Sequence, residues 1–217
     1  MPDVFEQYAQ AYDDWFEQHE AAYRAELAAV AALLPTEGRG IEIGVGTGRF
    51  AGPLKISLGV EPAWAMATLA KKRGIQVVQG RAEALPLAPA SCDFVLMVTV
   101  LCFLPDPLAA LREISRILKP SGRLILAVLD PDSPLGRQYE AKKDQSRFFR
   151  EARFYRLPQI REWLEALGFR ELARSQNIFH DPATLLAPEP VRPSSGEGAF
   201  VVLAAQKTGT CRKGHLS

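Results

Sequence analysis

The sequence predicts an α/β fold, a three-layer sandwich around a mainly parallel sheet. Three observations carry that expectation. Short apolar runs alternate with stretches of helical period from Gly40 to Leu129. One run, Cys92 to Val100, is apolar almost without interruption, as suits a strand covered on both faces. A glycine-dense loop, Gly44-Val45-Gly46-Thr47-Gly48, follows the first run, at the strand end where open parallel sheets bind ligands.

In chain order, the large apolar residues Phe5, Tyr8, Tyr12, Trp15, Phe16, Tyr23, Leu27, Val30 and Leu34 step mostly by three and four. That spacing predicts helix, ended by Pro35 and Gly38, with one break near His19 dividing it in two. Gly40 to Val45 is strand one, and Ile56 to Val60 is strand two. A helix from about Pro62 to Arg73 leads to strand three, Ile75 to Gln79. Arg81 to Ala90 is a Pro- and Ala-rich loop before strand four, Cys92 to Val100.

Asp106-Pro107 supplies a cap and a first-turn proline for a helix with Leu108, Leu111, Ile114 and Leu118 on one face. Pro120-Ser121-Gly122 is a turn, and Leu124 to Leu129 is strand five. A helix from about Pro158 buries Ile160, Trp163, Leu164 and Leu167 and stops at Gly168. Arg170 to Ile178 and Gly198 to Ala205 complete seven strands. The Pro-rich loop between them holds no crossover helix, so these two are expected to be antiparallel.

The chain has 217 residues, 47% of them hydrophobic, with a formal net charge of +1. This suits a single domain over 1–207. A helical lid at 1–35 and a cap at 131–157 would lie on it, with a flexible tail at 208–217. The charge balance gives no reason to expect nucleic acid or a membrane surface as partner. Three cysteines, none at CxxC spacing, argue against a disulfide framework or a structural zinc site. No metal ligand set is evident, and Cys92 and Cys102 read as small buried hydrophobes. No secretory signal and no apolar run of about 18 residues is visible, so a cytoplasmic protein is expected.

The glycine loop departs from the dinucleotide fingerprint, because Arg49 stands where its last glycine would be. Taken alone it could be a tight turn, a dinucleotide loop or another nucleotide-like site. Thr47 to Phe50 would begin a helix whose free N–H groups face an anion. Strand two ends in Gly59-Val60-Glu61-Pro62, and Glu61 lies 19 residues beyond Glu42 (61 − 42). A carboxylate there can accept from both hydroxyls of a ribose.

IEIGVGTGRF (41–50), LGVEPAWAM (58–66) and the long stretch 80–126 resemble the class I S-adenosylmethionine-dependent methyltransferases. The likeness is to the ubiquinone/menaquinone-biosynthesis-like (type 11) branch, and within it to a bacterial histamine-methyltransferase-like group. The resemblance implies a Rossmann-like seven-stranded sheet with an antiparallel C-terminal strand. It also implies S-adenosyl-L-methionine as cofactor and a small-molecule acceptor. Monomer and homodimer both stay open.

By position, the resemblance implies that Glu42 orders the loop and the methionine amino group. Gly44, Val45, Gly46 and Gly48 would line the methionine and ribose. Glu61 would hold the ribose hydroxyls and Pro62 would pack near the adenine, with Ala82 and Glu83 at the adenine edge. Val98 and Thr99 would border the sulfonium and the acceptor. Two departures stand out. Arg81 occupies a position where the family often has Asp, and Arg cannot accept from the adenine amino group. Cys102 and Phe103 stand where the family often has His-His.

Transfer from a sulfonium needs positioning more than acid–base help. Tyr12, Thr99 and Cys102 are candidates to line the acceptor side, with no assigned general base. His19 and His180 read as surface or loop residues, and His215 as part of the tail. Residues 137–156 carry seven basic and three acidic side chains interleaved with aromatics. That segment reads as a lid helix with its apolar side on the core, or as a surface for an anionic or aromatic acceptor or single-stranded RNA. Met97-Val98-Thr99-Val100 lacks the Asn/Asp-Pro-Pro-Tyr pattern that holds planar nitrogens in base and glutamine N-methylation. A cofactor-binding protein without catalysis, or one needing a partner, and a nicotinamide-dependent oxidoreductase are the alternatives.

Overall fold

The computed structural model describes residues 4–209. Cys211 and His215, and most of the expected tail, lie outside them. The N-terminal apolar stretch forms three helices, α1 (Val4–Gln7), α2 (Ala9–Gln18) and α3 (Glu20–Ala31). His19 makes the expected break, and Tyr8 makes a second one, with both backbones off helical values. Apolar period alone runs through such kinks, because the residues on either side keep facing the core.

The sheet contains β1 (Gly40–Ile43), β2 (Leu58–Glu61), β3 (Gln76–Gln79), β4 (Cys92–Val98), β5 (Leu118–Leu129), β6 (Phe169–Asn177), β7 (Arg192–Pro193) and β8 (Phe200–Lys207). Their order is β3-β2-β1-β4-β5-β8-β6-β7. β1 to β5 are mutually parallel, while β8 slots between β5 and β6 and pairs antiparallel with both. The sheet therefore has eight strands among the described residues, not seven. The extra one, β7, is a two-residue edge pairing that Pro193 keeps short.

The helices fill both faces. α4 (Trp64–Lys72), α5 (Pro107–Ile117), α6 (Pro134–Lys142) and α7 (Leu157–Ala166) follow the sheet in the expected order. Asp106 caps α5 by accepting from Ala109 N at 2.9 Å. Alternate residues of β4 enter opposite cores: Val95 and Met97 pack with α5 and α7 residues, Phe94, Leu96 and Val98 with α3 residues. This two-sided burial explains its unbroken apolar run.

Three expectations change in detail. Residues 45–55 form successive turns rather than a helix, so no helix N-terminus faces the glycine loop. Strand four stops at Val98, because Thr99 has φ +50 and Leu101–Phe103 is a 3-10 turn. Pro120-Ser121-Gly122 is an irregular bulge inside β5, with Ser121 at φ +62.

Candidate functional site at the β1–β4 switch point

Strand order reverses between β1 and β4, which opens a crevice at their carboxyl ends. Three small cavities meet there. One is lined by Glu42, Gly44, Val45 and Gly46 together with Tyr12 and Val98. The next has Gly44, Gly46, Glu61, Val98, Thr99 and Tyr12. The third has Gly44, Pro62, Ala82, Glu83 and Arg81. Gly44 belongs to all three, so the predicted cofactor residues other than Gly48 share one groove.

Gly44 is glycine for two reasons. Its φ is +70, and a Cβ there would lie 2.3 Å from Val100 Cγ2. Gly46, at φ +53, has nothing within 4 Å of where a Cβ would sit. It leaves open space above Glu61. Gly48 lines none of these three cavities. It seats the loop against Ile75 and Ala70.

Glu61 is 1% exposed. Its Oε2 accepts from Gly46 N at 2.9 Å and its Oε1 from Ala63 N at 3.0 Å. Burial pushes its carboxyl up to about 7, against those two bonds. Glu42, also buried, rises well above the ordinary carboxylate range through burial, although Ala51 N–H donates to it. Its Oε2 has no hydrogen-bond partner among the described residues. A buried carboxylate oxygen without a donor is costly. A ligand amine at the groove would supply one.

Arg49, which spoils the dinucleotide fingerprint, ties the lid to the loop. Its Nε and Nη2 donate to Asp13 Oδ1 and Oδ2 at 2.8 and 2.7 Å, and Nη2 also reaches Glu17 Oε1 at 2.9 Å. Arg73 donates to Asp13 Oδ2 at 2.8 Å and to Thr47 O at 2.9 Å. Burial alone would raise the Asp13 carboxyl, but the Arg49 and Arg73 bonds outweigh it and hold it at about 2. The sequence reading missed this clamp because its members are 36 and 60 positions apart.

A larger cavity of about 300 Å³ adjoins the groove. Tyr12, Phe16, Thr99, Tyr139, Phe148 and Phe149 are among its walls. The cap meets the lid there through aromatic contacts: Phe148 lies 5.4 Å from Tyr12 and 5.9 Å from Phe5 between ring centroids. Arg147 sits 4.6 Å over the Tyr8 ring. The aromatics of the 137–156 segment thus face inward, and α6 is only part of it.

His19 lies in the turn between α2 and α3, half-buried. It stacks on Trp15 at 4.7 Å and lines the same cavity, whereas His180 is exposed and bound to Glu189. Cys102 lines not the large cavity but a smaller one that shares Thr99 and Leu129 with it. Its thiol donates to Thr99 O and is pushed up by burial.

Glu26 also lines the large cavity. The sequence carried a signal for it. In Tyr23, Glu26, Leu27 and Val30 a carboxylate interrupts an apolar helical face at the i, i+3, i+4, i+7 spacing.

Among the described residues no cluster of metal-ligating side chains occurs, and no helix is long and apolar enough to cross a membrane. A family described as a methyltransferase domain matches residues 41–126. The chain is 42% identical over 204 residues to the uncharacterized protein MJ1123 of Methanocaldococcus jannaschii, covering 94% of this chain and 98% of that one. A crystal structure from Thermotoga maritima, described as a SAM-dependent methyltransferase and possible histamine N-methyltransferase, is 50% identical. It superposes with a TM-score of 0.92 over 95% of this chain and 100% of that one. The ubiquinone/menaquinone biosynthesis C-methyltransferase of Klebsiella pneumoniae is 32% identical over 115 residues, 51% of this chain and 42% of that enzyme. With the switch-point groove and its two buried carboxylates, these relationships show that the chain belongs to the class I S-adenosylmethionine-dependent methyltransferases.

Proposed function

We propose that this methyltransferase holds S-adenosylmethionine in the β1–β4 groove and acts on a small-molecule acceptor seated in the adjoining aromatic cavity. One observation carries the reading. Thr99, at the end of β4, lines both the groove and the larger cavity, so a donor and an acceptor meet at its position.

The residues present fit the cofactor. Glu61 sits where a carboxylate accepts from ribose hydroxyls, below the open space at Gly46. The unpartnered Oε2 of Glu42 accepts from the amino group of the methionine portion. Pro62, Ala82 and Glu83 flank the adenine, and Arg81 lies 3.7 Å from Glu83, turned toward that carboxylate. When bound, the sulfonium supplies an activated methyl group for in-line displacement. The chain's own part is orientation and exclusion of water by lid and cap.

A screen for S-adenosylhomocysteine release with amines, phenols, thiols and carboxylic acids tests this. Turnover with at least one class of small molecule is expected. Cofactor binding without turnover on any class would replace the reading with a non-catalytic binding protein.

A further inference from the structure

Glu26 is a carboxylate in the wrong company. It projects from the apolar face of α3, between the buried residues Ala22, Ala25, Ala29 and Val30. Its cavity is walled by aromatic rings and includes Thr99 at the groove end. Among the described residues no hydrogen bond or ion pair reaches it. Burial pushes its carboxyl up to about 8. It lies close enough to Tyr12 and Tyr139 that, after burial, its charge is the next cause raising both phenols.

Glu26 is half-buried, and a carboxylate that faces an aromatic cavity without a protein partner is a functional-site signal. Three side chains able to donate, His19, Lys142 and Lys143, line the same cavity, and none of them is bound to Glu26. Lys143, on the cavity wall, is bound to Glu140 Oε1 at 2.8 Å and to Ala152 O. Lys142, exposed at the end of α6, also lines the cavity but makes no ion pair with Glu26. His19 donates from Nδ1 to the Trp15 carbonyl oxygen at 2.9 Å. The cavity thus offers an acceptor and ring faces at one place, which is the chemistry of an ammonium site.

Resting on the methyltransferase reading above, we propose that the acceptor is a small amine with an apolar or aromatic body, and that Glu26 is the residue that binds its nitrogen. The rings of Tyr12, Phe16 and Phe148 take the body, and the ammonium N–H groups donate to the Glu26 carboxylate. One N–H proton passes to that carboxylate, which leaves a lone pair on nitrogen. That pair forms the new N–C bond as the C–S bond breaks, and the C–S pair stays on sulfur. The product leaves as an N-methylammonium, and Glu26 returns its proton to water.

Calorimetry in the presence of S-adenosylhomocysteine tests this apart from turnover. The probes are a set of small aryl and alkyl amines with the matched carboxylic acids and phenols. Amines should bind and the acids should not. Glu26→Gln keeps the shape and removes the charge, and it should weaken the amines roughly 10- to 100-fold. Its affinity for S-adenosylhomocysteine should be unchanged, which also shows that the variant is folded. Acids or phenols binding as well as amines, no amine binding, or Glu26→Gln binding amines as the wild type does would each overturn the proposal. Failure of S-adenosylhomocysteine itself to bind would instead bring down the underlying reading, and the acceptor role with it.

Discussion

Gly44 and Gly46 both carry positive φ, yet their replacements should behave differently. An alanine methyl at Gly44 meets Val100 at 2.3 Å, while one at Gly46 meets nothing. Gly44→Ala should cost stability by about 1–3 kcal/mol, from overpacking and left-handed strain together. Gly46→Ala should cost about 1 kcal/mol, from strain alone, but fill the space above Glu61. Thermal melts should rank Gly44→Ala below Gly46→Ala, and both should bind S-adenosylhomocysteine more weakly. Equal melts would mean that the Val100 contact is not limiting. Glu61 and the glycines were legible in the sequence because a strand-turn-strand unit of fixed geometry sets their spacing. Glu26 was legible only as an acid on an apolar helical face, since the packing of α3 decides whether such a glutamate meets water or a cavity.

At the scale of elements, the lid is held by charge rather than by apolar burial alone. Asp13 on α2 receives Arg49 from the glycine loop and Arg73 from the end of α4. Asp13→Ala would leave two guanidinium groups without their shared partner. A loss of about 3 kcal/mol is expected, as for one partner of a largely buried pair. For a domain of this size that lowers Tm by roughly 6–12 °C. Limited proteolysis should then cut first within residues 8–20, and cofactor affinity should fall with lid closure. An unchanged melt with intact N-terminal helices would show the clamp to be idle. The lid's helical character was readable from apolar period, but not its break at Tyr8 or the clamp. Both depend on contacts between segments that lie far apart in the chain.

For the whole molecule, the buried acids set opposite pH dependences for stability and binding. Glu61 titrates near 7 in the folded protein and at its ordinary 4.5 when unfolded. Between those values the unfolded chain releases a proton that the folded one retains, so stability falls as pH rises from 4.5 to 7. Glu42 acts in the same direction. Asp13 acts oppositely: its contribution is present above 3.8 and lost as pH falls toward 2. Urea unfolding from pH 5 to 8 should show a shallower decline for Glu61→Gln than for the wild type. Parallel slopes would contradict the assigned burial of Glu61. Cofactor affinity should instead rise through pH 7, as Glu61 ionises and accepts more strongly from ribose hydroxyls.

The mainly parallel sheet and the two-sided burial of β4 followed from alternating apolar runs, because each parallel strand needs helices over both faces. The eighth strand did not, since two residues at a proline-limited edge leave no pattern to read.

The central claim is that the groove at the ends of β1, β2 and β4 binds the cofactor through Glu61. Isothermal calorimetry of S-adenosylhomocysteine with the wild type and Glu61→Ala tests it most directly. Loss of two charge-assisted hydrogen bonds should weaken binding roughly 100-fold or more. Equal affinity in the two proteins would contradict the account.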